Sequence, residues 1–396
     1  MPFRRTRVPA LLLAGALLAG CSPGGGAPPG PASSAPTRAA AVRTVPACEV
    51  PLPDAWERAF AAGEYRPPDG QRAVLTDTGP GWTALQLTGN GDMGRRAVLV
   101  RGDGSPPRTL LRFADPVEHQ LLAADFDGRR WAAFAVLEGR TLDSPWSLYV
   151  WDAVTGTARR LARADRPGPL PRPVVRDGTV VWAQGTGTGR ASVFAAPAAD
   201  GGGGGGGGHA RVWRTAVLDT PFAAGGLLVW RESAGGHTRP VAVALKDGRP
   251  AALPAPIAAL RDIRALASDG TTWAWVEGET APRLMVWRPG EARPYAAVTA
   301  SPAADGMDQL RIAGRLVTWR TPETSYALDL GHPDRRPASG SGSGSYARIT
   351  PPYGYAAASG NALALAYSVG NAKTAGARPV IRVVDAARLP GLPGCG

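Results

Sequence analysis

Few side chains in this chain of 396 residues are of kinds that make or break bonds: three cysteines, Cys21, Cys48 and Cys395, and four histidines, His119, His209, His237 and His332. Cys48 and Cys395 stand alone, without the closely spaced cysteine or histidine partners that a zinc site draws on. The histidines lack a His-x-x-x-His spacing, and each reads as a surface residue. No Gly-x-Ser-x-Gly elbow is present to carry a serine nucleophile. The Gly185–Gly189 run has no helix after it to cradle a phosphate. One set of carboxylates stands out: Glu138, Glu232, Glu277 and Glu323 recur near the same point of a repeat. If the fold gathers them on one face, they can hold a cation or a basic partner; solvated strand ends are the plainer reading. Since no nucleophile, base and stabiliser fall into a pattern, the chain is expected to be no enzyme, with no catalytic residue, no metal and no cofactor.

The elements that would position these residues begin with an address. Arg4, Arg5 and Arg7 precede thirteen mostly apolar residues, Val8 to Gly20. That run is too short for a bilayer, which needs about twenty, but suits a cleaved export signal. Its end, Leu18-Ala19-Gly20-Cys21, resembles a bacterial lipoprotein signal. The resemblance implies cleavage before Cys21 and a diacylglyceryl group on its sulfur, hence a lipid anchor on the extracytoplasmic face of the cell membrane. An ordinary secretory signal with a chance cysteine is the alternative. Residues 21–45, rich in Pro, Gly, Ala and Ser, have no apolar periodicity and read as a flexible tether. Outside the cytoplasm a disulfide is stable, so Cys48 and Cys395 are expected to pair; two free thiols remain the other possibility.

Formal charge is +12, and with Arg4, Arg5 and Arg7 removed from 44 basic residues against 32 acidic ones it falls to +9. Lys246 and Lys373 are the only lysines, and the arginines are spread without a basic stripe. Nucleic acid is therefore not an expected partner.

Residues 46–396 carry a repeat. A glycine opens an apolar, often Trp-containing strand at Gly81, Gly128, Gly178, Gly226, Gly270, Gly314 and Gly360, at intervals of 47, 50, 48, 44, 44 and 46 residues. Asp127-Gly128, Asp177-Gly178 and Asp269-Gly270 are hairpin-turn pairs. Each joins a preceding inner strand, such as Leu121 to Asp125, to the Trp-rich second strand. Third strands are legible at Trp146 to Asp152, Arg283 to Trp287 and Val380 to Asp385, and fourth strands at Ala158 to Ala162, Val212 to Val217 and Tyr295 to Val298. Such a period with four short strands predicts an all-β fold, a seven-bladed β-propeller of four-stranded antiparallel blades, six or eight blades being possible. One helix is expected, from Asp54 as N-cap to a stop at Gly63. The tryptophans, at equivalent places in different repeats, read as packing between blades rather than sugar platforms.

The Asp-Gly hairpin, aromatic second strand and the Ser147 to Leu161 passage, with its Leu-Tyr-Val-Trp-Asp and Thr-Ala-Arg-Arg-Leu exit, resemble the repeats of TolB-like propellers, relatives of the WD-repeat class. The resemblance covers most of residues 71 to 385 and implies an exported propeller. The last unit lacks a good fourth strand, so the segment from Cys48 to Leu52 is expected to supply or brace its outer edge and bring Cys48 to Cys395. The functional expectation is a non-catalytic protein-binding or scaffolding module of the cell envelope, its partner an envelope protein. The alternatives are a propeller hydrolase, lactonase-like or glycan-acting, with an axial metal, or a solute-sensing receptor.

Overall fold

The computed structural model describes residues 43–68, 70–88, 94–115, 119–139, 141–187, 189–199, 210–299, 302–304, 306–331, 344–370 and 378–395. The signal, Cys21, nearly all of the tether, the Gly201–Gly208 run, His209 and His332 lie outside them.

The described chain is all-β, in meanders that follow the sequence repeat. Arg72–Gly79, Trp82–Thr88, Gly94–Arg101 and Arg108–Arg112 form one antiparallel sheet, and His119–Phe126, Trp131–Glu138, Trp146–Asp152 and Thr157–Ala164 the next. A seven-stranded sheet follows. It joins the group from Val174–Arg176 to Arg211–Leu218 to the group Phe222–Ala224, Leu227–Ala234 and His237–Ala244, through Val217 on Ser233 and Leu218 on Glu232. Three more groups run from Ala265–Ser268 to Tyr295–Thr299, from Asp308–Ala313 to Ser345–Arg348, and from Tyr355–Ser359 to Arg378–Asp385.

The glycine of each repeat sits in the turn between first and second strands. At Asp177-Gly178 both residues have positive φ, 48° and 72°, the geometry of the primed two-residue turn that matches strand twist. The second strands are the most buried parts of the molecule. Trp182, Trp230, Trp273, Trp275 and Trp319 are nearly inaccessible and fill the spaces between successive sheets, as with Trp182 against Leu148, Val150 and Val175. Inter-sheet packing thus absorbs these tryptophans.

First strands succeed one another cyclically. Arg72–Gly79 packs on His119–Phe126 and that on Val174–Arg176; Phe222–Ala224 packs on Ala265–Ser268, then come Asp308–Ala313 and Tyr355–Ser359, which returns to Arg72–Gly79. Between the third and fourth groups, the Thr220 hydroxyl donates to the carbonyl of Leu170 at 3.2 Å.

The amino-terminal segment stitches the outer edges of the last three groups. Arg43–Thr44 lies parallel to Tyr295 and Ala296, and Cys48–Glu49 parallel to Ser345 and Tyr346. The helix Asp54–Ala62 follows, and Glu64–Tyr65 then pairs antiparallel with Ile381 and Arg382. The expected edge strand therefore needs correcting: residues 64–65, not 48–52, complete the last group, while Cys48–Glu49 extends the one before it. The helix begins on Pro53, held extended at φ −66° and ψ 143°, with no side-chain cap. Asp54 lies inside the first turn, where its charge suits the helix dipole. The Cys48–Cys395 disulfide is formed, with Cα atoms 5.8 Å apart. Next to it Trp56, fully buried, donates its indole N–H to the carbonyl of Pro390 at 2.8 Å.

Candidate functional site

The cyclic order of first strands leaves a cavity of about 700 Å³, to which all seven strand groups contribute wall residues. Its lining mixes apolar side chains, such as Trp82, Leu170 and Phe222, with aspartates and arginines.

Several of these aspartates face neighbouring groups. The Asp77 carboxylate accepts the backbone N–H of Ala124 at 3.0 Å, and Asp125 accepts that of Val175 at 2.8 Å. These two inner strands each set a carboxylate against a backbone donor on the edge of the next, where no ladder partner exists. Arg176 lies 3.5 Å from Asp125. Arg231 pairs with Asp219 and also donates to the carbonyls of Ile263 and Arg264 across the next boundary.

Burial pushes the Asp77 and Asp125 carboxyls above the usual aspartate range, opposed by Arg172 and the Ala124 N–H at Asp77 and by Arg176 and the Val175 N–H at Asp125. Unfolded aspartates ionise near 3.8. Above that pH the folded state holds protons that the unfolded state has lost. These two groups therefore stabilise fully below 3.8 and lose that contribution as pH rises through their folded values. An Asp77→Asn, Asp125→Asn variant is expected to lose less stability than the wild type between pH 4 and 7 in urea melts; parallel profiles would contradict the assignment.

The four glutamates singled out in the sequence do not share the cavity. Glu138 receives Arg163 at 2.9 Å and the Ser147 hydroxyl; burial raises its carboxyl, but these two donors outweigh burial and hold it low. Glu232, 5% exposed, takes Arg214 on both oxygens, and Glu277 takes Arg283 at 2.6 Å. Glu323 is exposed, its backbone carbonyl accepting the N–H of Tyr353. The first three thus knit strands of one sheet, Glu138 reaching past Trp146–Asp152 to Arg163, and each is paired with an arginine.

Folding also makes a pair that spacing did not suggest: His237 Nδ1 lies 2.8 Å from the Asp262 carboxylate, 25 residues away. Both side chains are exposed. The Thr238 N–H, then His237, pull the Asp262 carboxyl down. His237 lines, with Arg239 and Arg261, a smaller surface hollow of about 380 Å³. Among the described residues no group of three or more His, Cys, Asp or Glu is arranged to hold a metal, and no helix is long and apolar enough to cross a membrane.

No family model matches the sequence, and no curated protein matches it. Solved structures do. One, from a structural and mechanistic study of two prolyl endopeptidases, is 15% identical with a TM-score of 0.53, covering 87% of this chain and 50% of its own. Prolyl oligopeptidase B from Galerina marginata, bound to a 25mer macrocyclization substrate, is 12% identical with a TM-score of 0.50, covering 84% and 51%. TolB from Acinetobacter baumannii is 11% identical with a TM-score of 0.37, covering 69% and 62%. This chain spans about half the length of the prolyl peptidases it matches. The likeness shows the fold, a β-propeller. It also corrects the expectation that the chain is no enzyme: that expectation rested on motifs missing from the sequence, whereas the fold is one that peptidases share.

Proposed function

We propose that this is a lipid-anchored, seven-bladed propeller of the extracytoplasmic membrane face whose axial cavity binds an extended polypeptide segment of an envelope partner. The observation that carries the reading is the cavity itself, large enough for several residues and lined with apolar, anionic and cationic groups at once. Peptides present that same mixture, alternating amides with varied side chains. The meanders that follow the sequence repeat support this reading, the last of them taking residues 64–65 as an edge strand. The Leu18-Ala19-Gly20-Cys21 motif supports the anchor, and the disulfide agrees with an oxidising compartment. A photo-crosslinker at Leu170, on the cavity wall, tests the binding reading through the polypeptides it captures in intact envelopes. Cys21→Ala is expected to move the protein from the membrane fraction to the soluble one; retention in the membrane would remove the anchor.

The peptidase likeness favours a second reading. The matched region is about half of each prolyl peptidase, so this chain can stand for the propeller part of a two-part enzyme, its cavity admitting peptide to catalytic groups carried elsewhere.

A further inference from the structure

One wall of the cavity carries two arginines, Arg264 and Arg311, that donate no hydrogen bond to a carboxylate among the described residues. Asp77, Asp125 and Asp219 are spent on backbone N–H groups or arginines, as described above. At the boundary between the fifth and sixth strand groups the balance changes. Among the described residues the Arg264 guanidinium makes no hydrogen bond, and Arg311 donates only to the carbonyl of its neighbour Leu310, at 2.9 Å. Asp308, exposed on the same wall, is raised by desolvation and lowered by Arg320 and Arg264, so Arg264 lies within its electrostatic reach. Asp269, on the same wall, is taken up by the N–H groups of Thr271 and Thr272, which leaves Asp308 as the carboxylate there that faces Arg264.

The backbone between these charges is strained. The register slips between Asp308, opposite Arg320, and Arg311, opposite Thr318. Within the bulge Gln309 takes a φ of 46°, the left-handed region that a non-glycine residue occupies only at a cost. Bulges re-aim side chains beside binding sites. Here Leu310 is buried while Gln309 stays exposed on the cavity lining, so its amide is offered to whatever enters. A carboxamide gives one acceptor and two donors, the complement of a peptide bond.

We propose that this wall makes the cavity selective for acidic peptide segments, Arg264 and Arg311 receiving a side-chain carboxylate while Gln309 meets the adjoining backbone amide. The assignment rests on the peptide-binding reading above and sharpens it to a ligand class. Charge-assisted hydrogen bonds to guanidinium are about twice as strong as neutral ones, and they weaken with added salt in this partly open cavity.

Calorimetric titration of the purified protein with two acetylated, amidated octapeptides tests it: alternating Ala and Glu, and alternating Ala and Gln. The acidic peptide is expected to bind at least about tenfold more tightly, a gap of roughly 1.4 kcal/mol. The gap should shrink with salt and vanish in Arg264→Gln, Arg311→Gln. Because Arg264 is exposed and its side chain makes no hydrogen bond among the described residues, the single Arg264→Gln variant is expected to fold normally and to lose part of the gap. Equal affinity for both peptides would overturn the acidic preference and leave peptide binding standing; absence of binding by either would overturn both. Free glutarate binding as tightly as the acidic peptide would also overturn the proposal, by making the ligand a small dicarboxylate.

Discussion

Replacing Cys48 and Cys395 together by alanine is expected to lower the unfolding free energy by about 2–5 kcal/mol. The bridge closes a loop with a sequence separation of 347. The chain-entropy model sets a ceiling of about 5–6 kcal/mol for such a loop, which residual structure in the unfolded chain reduces. The chain ends are where the arrangement of sheets can come apart, and the disulfide ties the amino-terminal segment to the carboxy-terminal tail at the outer edge of the group that ends in Ser345–Arg348. The last sheet takes the two-residue strand Glu64–Tyr65 from the amino-terminal segment, and the helix before it packs Trp56 and Phe60 against Leu363 and Leu365. Guanidinium melts of the wild type and the double variant, both without reductant, give the difference directly. A loss below about 1 kcal/mol would mean that the clasp is held by its non-covalent contacts.

Arg315→Met is expected to cost about 3–5 kcal/mol, the penalty for leaving one partner of a buried ion pair behind. Asp329 is 5% exposed and receives Arg315 at 2.9 Å. The same guanidinium donates to the carbonyls of Ala386, Leu389 and Pro390, while Asp329 accepts the N–H of Leu392 at 3.0 Å. The pair is the peg around which the carboxy-terminal tail folds back toward Cys48. Adding Asp329→Asn to Arg315→Met should recover part of the loss, since the amide leaves no uncompensated charge. A double variant that melts below both single ones would contradict that account.

Both effects concern the closure, the part of the fold least visible in the sequence. The repeat was legible because each glycine-opened second strand must be apolar on both faces where it packs between sheets; Trp131–Glu138 and Trp273–Glu277 obey that rule. Third strands were equally clear, Trp146–Asp152 and Arg283–Trp287 matching their expected bounds. Residues 43–44, 48–49 and 64–65 carry no such pattern. Two residues are too few for a period, and their pairing is decided by which sheet edge lies open beside them.

The cavity was illegible for a similar reason. Asp77 and Asp125 look like ordinary strand residues until the ring sets each against the unpaired N–H of the next inner strand, 47 or 50 residues on. The recurring glutamates were visible, but their arginine partners were not. Arg163, Arg214 and Arg283 are chosen by the register of neighbouring strands, which converts apparent face carboxylates into cross-strand pairs. Gln309 had no signal at all, because nothing in Asp-Gln-Leu-Arg announces a bulge.

The axial cavity is the proposed place where a polypeptide binds, and a photo-reactive benzoylphenylalanine at Leu170 interrogates that space. Leu170 lines the cavity and is 49% exposed, so the probe can be accommodated there; Val154, 75% exposed in the turn after Trp146–Asp152, serves as the control. After irradiation of intact envelopes, position 170 is expected to give polypeptide adducts that are absent from position 154, the captured segment carrying Asp or Glu. Adducts from position 154 alone, or none from position 170, would contradict it.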